Sequence, residues 1–199
     1  LEANLLPVLA EMEFAGINFD SEKMEDIGMR IRKEREEVEA SIYALSPEPF
    51  NIASPKQIQE VFQKMGIELT KKNKTGFSVD VDVLEELSKE HEIAKHILRH
   101  RTLSKLDSTY VIALIKSVNP NTKRIHTTYD SLGASTGRMS SNDPNLQNIP
   151  TGDGYAEEIK SCFIPTEGNI LLVADYSQIE LRVLAFLSED ENLLDAFKK

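Results

Sequence analysis

Tryptophan is missing from this chain of 199 residues, cysteine occurs once, and aromatic residues make up only 7% of it. The one thiol, Cys162, cannot close an internal disulfide, so packing and hydrogen bonds must hold the fold, which fits a reducing compartment such as the cytoplasm. No stretch approaches the run of about 18 apolar residues that a membrane-spanning helix requires. No basic segment followed by an apolar one opens the chain, where Glu2 stands in the first turn. A phosphate-binding P-loop, a dinucleotide fingerprint, a nucleophile elbow and an H-E-x-x-H zinc pattern are all missing, as are internal repeats. His96 and His100 stand four apart, a spacing that can bind a metal, but no cysteine accompanies them and surface histidines are the plainer reading. The chain begins with Leu1 rather than Met and reads as a piece of something longer.

Basic residues are also in short supply, 23 against 33 acidic ones for a net charge of −10. That balance argues against a polyanionic partner only if charge is spread evenly. It is not: residues 51–150 carry 14 bases and 11 acids, while both ends are acidic. A local basic patch is what a nucleic acid needs, so the acidic total decides little. Hydrophobic residues at 40% suffice for one or two packed domains.

Apolar spacing predicts a short helix through Leu5, Leu6, Val8, Leu9 and Met12, ended by Gly16. A long helix follows Asp20, with Met24, Ile27, Ile31, Val38, Ile42 and Leu45 on one face and the charges at 33–37 on the solvated one. Pro47 and Pro49 break it. Ser54-Pro55-Lys56-Gln57 reads as a capping box opening a helix with Ile58, Val61, Phe62 and Met65 inward. Lys71-Lys72-Asn73-Lys74-Thr75 reads as a basic loop, and Asp82-x-x-Glu85 as another helix cap. A second long helix carries Ile93, Ile97, Leu103, Leu106, Tyr110 and Leu114, and stops at Asn119-Pro120. Beyond it, strands are predicted at 124–129 and 159–164, with a polar, irregular stretch over 131–150. The continuous apolar run Ile170-Leu171-Leu172-Val173-Ala174 predicts a strand buried on both faces. Helices resume at Gln178 and, behind a Ser188-x-x-Glu191 cap, near the end.

Three groups of residues carry chemistry. An ionised Asp175 at the end of a buried strand needs compensation, and a hard cation such as Mg²⁺, with phosphate oxygens and the N–H groups of the helix beyond it, supplies it. Asp175 as a simple N-cap is the alternative. The loop over 136–150 offers amides, hydroxyls and Arg138, donors suited to minor-groove acceptors and sugar–phosphate oxygens; a solvated loop of Asx-turns is the alternative. Arg101 and Lys105, four apart beside Arg99 on the second long helix, repel unless an anion lies across them, although a solvated face explains them equally.

Asp175-Tyr176-Ser177-Gln178-Ile179-Glu180-Leu181-Arg182 resembles motif A of family A DNA polymerases. Thr136-Gly137-Arg138, with the residues at 143–150, resembles the segment preceding that motif. Arg101-x-x-x-Lys105-Leu106-x-Ser108-Thr109-Tyr110 resembles the last thumb helix of the bacterial polymerase I branch. The resemblance runs along essentially the whole chain. It implies an α+β fold: a helical thumb over 21–119, two long antiparallel helices with small helices at a tip near 54–87, and a partial palm with a small antiparallel sheet over 1–20 and 120–199. It implies a DNA-directed DNA polymerase of replication and repair in a bacterial cytoplasm, with primer–template DNA and deoxynucleoside triphosphates as partners, no membrane, and a monomeric state.

The resemblance also implies roles. Asp175 would ligate both catalytic Mg²⁺ ions, with the Tyr176 carbonyl completing one site. Ser177, Gln178 and Ile179 would line the triphosphate pocket, and Glu180 would exclude a ribose 2′-OH. Arg138 would meet the primer-terminal pair in the minor groove; Asn145, Gln147, Asn148 and Arg182 would hold the duplex, and Arg101 and Lys105 its phosphates. One ion would acidify the primer 3′-OH and the other hold the leaving pyrophosphate. Gly152, Glu157 and Phe186 depart from the family pattern and remove positive charge near the duplex side. The chain ends before the fingers and the second metal-binding aspartate of the family, so the 199 residues alone are expected not to extend a primer. A duplex-binding module that has lost the chemistry is the rival reading.

Overall fold

The computed structural model describes residues 2–69, 71–73, 76–152 and 154–198. Its contacts divide the chain into two compact units, Leu1–Ile164 and Pro165–Lys199. The fold class is α+β as expected, mostly helical with a small antiparallel sheet.

In the first unit, α1 (Glu2–Ala15) ends at Gly16, whose φ of +58° suits glycine and whose missing Cβ would stand 2.6 Å from the Ile125 carbonyl oxygen. Arg124 ties this corner together, donating to the Ala15 carbonyl (2.6 Å), the Gly16 carbonyl (2.9 Å) and the Asn18 side chain (2.7 Å). β1 (Ile17–Phe19) then runs between β4 (Arg124–Ile125) and β7 (Phe163–Ile164), antiparallel to both, with Ile17 opposite Ile125 and Phe19 opposite Phe163. The Phe19 and Phe163 rings meet edge to face at 5.1 Å.

The Asp20 side chain accepts from the Lys23 amide (2.9 Å) and starts α2 (Ser21–Leu45). The second long helix is α5 (Glu92–Lys105), a π-helical stretch over Leu106–Ile112, and α6 (Ala113–Ser117). The two helices are antiparallel: Gly28 faces Val111, Arg32 reaches Asp107, and Glu39 lies beside His100. A Cβ on Gly28 would sit 2.6 Å from a Val111 methyl, so glycine permits the close crossing. Met24, Ile27 and Ile31 pack there with Leu103, Leu106, Tyr110, Val111, Leu114, Ile125, Ile159 and Cys162 into one core. Burial pushes the Cys162 thiol up to about 11, an inert group rather than a nucleophile.

A second core closes the far end of the hairpin. Ile42 of α2 and Ile93, Ala94 and Ile97 of α5 pack on Ile58, Val61 and Phe62 of α3 (Pro55–Lys64) and Leu84 of α4 (Val81–Leu87). Ser54 caps α3 as predicted, with Pro55 as the first helical residue, but Gln57 turns its side-chain oxygen to the Asn51 amide instead of back to Ser54. The cap of α4 is Asp80, not Asp82. Within the segment predicted as a basic loop, Lys72 and Asn73 form β2 (Lys72–Asn73), which pairs antiparallel with β3 (Gly76–Phe77). Lys71 is paired with Asp80 (2.8 Å) and Asp82 (3.5 Å); Lys74 and Thr75 lie outside the described residues.

The ammonium of Lys71, joined by the amide of Val83, holds the Asp80 carboxyl at about 2, well below its ordinary value. A carboxyl depressed on folding stabilises the fold above its unfolded value, near 4, and that contribution is lost as pH falls through the folded value. The Val83 amide resonance, which reports the Asp80 cap, is therefore expected to titrate with a midpoint near 2. A midpoint near 4 would mean that the Lys71–Asp80 pair does not form.

Three predicted strands are corrected. The one at 124–129 is two, β4 and β5 (Thr128–Asp130), and β5 pairs with β6 (Ser140–Asn142) inside the stretch expected to be irregular. The one at 159–164 begins instead as α7 (Tyr155–Lys160), because a single buried Ile159 suffices to seat one short helical turn; only Phe163 and Ile164 are extended. The run at 170–174 forms no strand, and Ile170, Leu172 and Val173 are each more than four-fifths exposed. Strand backbone groups need a neighbouring ladder, and no described strand pairs with this run.

The second unit otherwise consists of α8 (Ile179–Ser188) and α9 (Glu191–Phe197). Asp190, not Ser188, caps α9. On α8 only Ala185 is buried, while Leu181, Val183, Leu184, Phe186 and Leu187 lie open.

Candidate functional site

Asp175 stands in an exposed, irregular stretch three residues before the N-cap of α8, which is Gln178 in the left-handed conformation (φ 52°, ψ 42°). The N-cap alternative for Asp175 is thereby removed. Asp175, Tyr176 and Ser177 approach the helix as a short arm, and the first-turn N–H groups of α8 have no preceding helical carbonyls to bond. Glu180 lies exposed in that first turn. Arg182 is built into the same unit: its Nε donates to the Ser177 carbonyl (2.8 Å) and its guanidinium lies 4.7 Å from the centre of the Phe197 ring. Arg182 thus fixes the turn that presents Asp175, a task its position two residues from Glu180 does not reveal.

In the first unit the polar loop over 136–150 is held by two hydroxyls that no sequence pattern singles out. Thr127 and Ser141 are both buried, with their oxygens 2.7 Å apart. The Thr127 hydroxyl donates to the Pro144 carbonyl (2.8 Å), and the Ser141 oxygen accepts from the Leu146 amide (3.1 Å). Thr127 and Ser141 stand 14 residues apart, and only the pairing of β5 with β6 brings them together. Asn145 accepts from the Gln147 amide (3.0 Å) to cap the 3₁₀ turn Leu146–Asn148, and the Gln147 side-chain amide donates to the Met139 carbonyl (3.0 Å). Arg138 is exposed beside Gly137, whose φ is +76°. These bonds tie the loop between Met139 and Asn148 to its own backbone, with an Asx-turn at Asn145, and leave Arg138, Asn145, Gln147 and Asn148 exposed.

A cleft of about 540 Å³ separates this loop from the second long helix. Thr109, Tyr110 and Ala113 line one side; Asn142, Asn145 and Asn148 line the other. Lys105 is exposed and pairs with no described residue. Arg101 is different: it is half-buried, and its Nη1 donates to the Val79 carbonyl (2.6 Å), so one face of its guanidinium serves the far core. Arg99 is taken by Glu34 (2.6 Å). Among the described residues, no group of three or more His, Cys, Asp or Glu side chains is placed to hold a metal ion. No helix of the described residues is long and apolar enough to cross a membrane.

Residues 21–199 match the family model described as DNA polymerase family A. The chain is 46% identical over 202 residues to DNA polymerase I of Bacillus caldotenax, which covers 100% of this chain and 23% of that protein. It is 44% identical over 199 residues to DNA polymerase I of Bacillus subtilis, covering 99% of this chain and again 23% of the relative. Among solved structures, the polymerase domain of Pol1 from M. smegmatis, in complex with DNA primer-template and dNTP, superposes with a TM-score of 0.90 at 38% identity, over 99% of this chain and 35% of that one. The chain thus spans under a quarter of the length of these curated relatives.

Proposed function

The chain belongs to DNA polymerase family A, and from that premise we propose that it forms the duplex-holding arm and the first part of the catalytic floor of a DNA-directed DNA polymerase. Residues 21–119 are the thumb, and 1–20 with 120–199 the beginning of the palm. The observation that carries this reading is the Asp175–Arg182 sequence, which spans the short arm and the first turn of α8, with Arg182 bracing the turn from the helix.

Lys105, and the N–H groups of Arg101 not spent on Val79, meet backbone phosphates. Arg138, Asn145, Gln147 and Asn148 direct donors toward minor-groove acceptors, which every base pair presents in similar positions, so the duplex is held without being read. Arg182 bears on the duplex through the turn that it fixes. Ser177, Gln178 and Ile179 line the approach of the triphosphate, and Glu180 occupies the space that a ribose 2′-OH would need.

The donor set around Asp175 fits part of a magnesium site. A carboxylate and the neighbouring Tyr176 carbonyl are hard oxygen ligands, and Mg²⁺ commonly takes one or two carboxylates with phosphate oxygens and waters. Two ions need more carboxylates than this arm provides. Bound Mg²⁺ would supply acidification of the primer 3′-hydroxyl and neutralisation of phosphoryl charge. The chain's own contribution is positioning: it holds the duplex end and sets one negative ligand where the ions must sit.

Templated primer extension, run on the polymerase that carries these residues with Asp175 intact and replaced, tests the reading. Extension that survives replacement unchanged would leave only the duplex-binding module.

A further inference from the structure

Asp107 is a carboxylate buried between the two long helices. It is the second residue of the π-helical stretch Leu106–Ile112, and its side chain is only 5% exposed. Both oxygens are taken by α2: Arg32 Nη1 donates to Oδ1 (2.8 Å) and Arg35 Nη1 to Oδ2 (3.1 Å). Burying a carboxylate is costly unless its partners compensate it, and an apolar side chain of similar volume commonly does as well. What two cations three residues apart do achieve is to fix one side chain in rotation and height along α2.

The same turn carries the groups that face outward. Lys105 precedes it and is exposed; Ser108 and Thr109 are exposed within it, and Thr109 lines the cleft opposite Asn145 and Asn148. A π turn holds one residue more than the α turn it replaces. Relaxing it to α geometry would rotate the residues beyond the turn by about 100°, one residue's share of an α turn. Thr109 would then leave the cleft, and Tyr110, Val111 and Leu114 would turn with it, so the Asp107 pair and the near core hold one register together.

We propose that Asp107 is a positioning residue for duplex binding: clamped by Arg32 and Arg35, it holds the π turn in the register that sets Thr109, next to the exposed Lys105, toward the duplex backbone. The proposal rests on the duplex-binding reading above. Asp107 itself touches no DNA.

Charge supplies the discriminating sign. Asp107→Asn removes a negative charge, which by electrostatics alone strengthens binding to a polyanion. Positioning predicts the opposite. With a fluorescent primer–template duplex and the 199-residue chain, the variant is expected to melt cooperatively yet bind about tenfold more weakly. Its slope of log affinity against log salt is expected to stay unchanged, because Thr109 carries no charge and Lys105 precedes the turn. Amides 108–112 are expected to lose hydrogen-exchange protection while those of α2 keep theirs. Unchanged or tighter binding with protected amides overturns the proposal. Should Asp107→Asn fail to fold, Asp107→Glu, which keeps the charge and moves it by one methylene, is expected to weaken binding in the same way, and wild-type affinity there overturns it. If the unsubstituted chain binds no duplex, the duplex reading fails, and the exchange of amides 108–112 alone then decides whether Asp107 sets the register.

Discussion

Replacing Asp175 with alanine is expected to lower templated extension by about a thousandfold or more while leaving duplex affinity within about twofold. A carboxylate that holds a catalytic cation contributes several kcal/mol to transition-state stabilisation, and each 1.4 kcal/mol is a factor of ten in rate. Duplex affinity is spared because the contacts assigned to it belong to Lys105, Arg138, Asn145 and Asn148, none of which leans on Asp175 for its position. Asp175→Asn is expected to fail nearly as badly, because the neutral amide keeps the shape and loses the charge. Asp175 is exposed, in an irregular stretch outside any helix or strand, so neither change should lower the melting temperature appreciably. An extension rate within tenfold of the original would remove Asp175 from the catalytic centre.

The largest expected loss of stability follows Phe62→Ala. Phe62 is fully buried in the far core, against Ile58, Val61, Leu84, Ile93 and Ile97. Truncating a buried phenylalanine costs about 3–5 kcal/mol, the transfer free energy of the ring plus the cavity left behind. Domains of this size are stable by only about 5–15 kcal/mol, so this is a large share. The loss should be uneven. The near core, around Met24, Ile31, Leu103 and Ile125, shares none of its buried members with the far one. Amide exchange is therefore expected to accelerate first in α3 and α4 and last around Ile125 and Ile159. Denaturant unfolding that shows less than about 1 kcal/mol of change would mean that the far core is not packed around Phe62.

The long helices are legible in the sequence because their apolar residues recur at helical steps and their ends carry Asp20, Pro47 and Asn119-Pro120. The π turn is not, since Leu103, Leu106, Tyr110 and Leu114 satisfy α spacing equally well, and the wider turn shows only in the backbone of Leu106–Ile112. The run at 170–174 misleads because hydrophobicity reports a need for burial but not the partner that provides it. Asp80 and Asp190 displace the predicted caps by two residues, a shift that competing acids and serines nearby make invisible to spacing.

In the site, Asp175 and the loop amides stand out by residue type and by resemblance. Thr127 and Ser141 do not, because ordinary hydroxyls 14 residues apart gain meaning only when strands bring them together. Arg101 shows the converse. Two cations four apart suggest an anion between them, whereas a backbone carbonyl at Val79, distant in sequence, takes one of them. Spacing along one helix says nothing of acceptors arriving from elsewhere.

A chain with a net charge of −10 should be repelled by DNA unless a local surface overrides the total. Equilibrium binding of a primer–template duplex to the 199-residue chain, measured from about 50 to 200 mM salt, tests that surface directly. With Arg101 and Lys105 neutralising phosphates, the slope of log affinity against log salt is expected to be about −2. A chain that leaves the duplex free at the low-salt end, or binds it with no dependence on salt, would contradict the assignment of these residues to DNA.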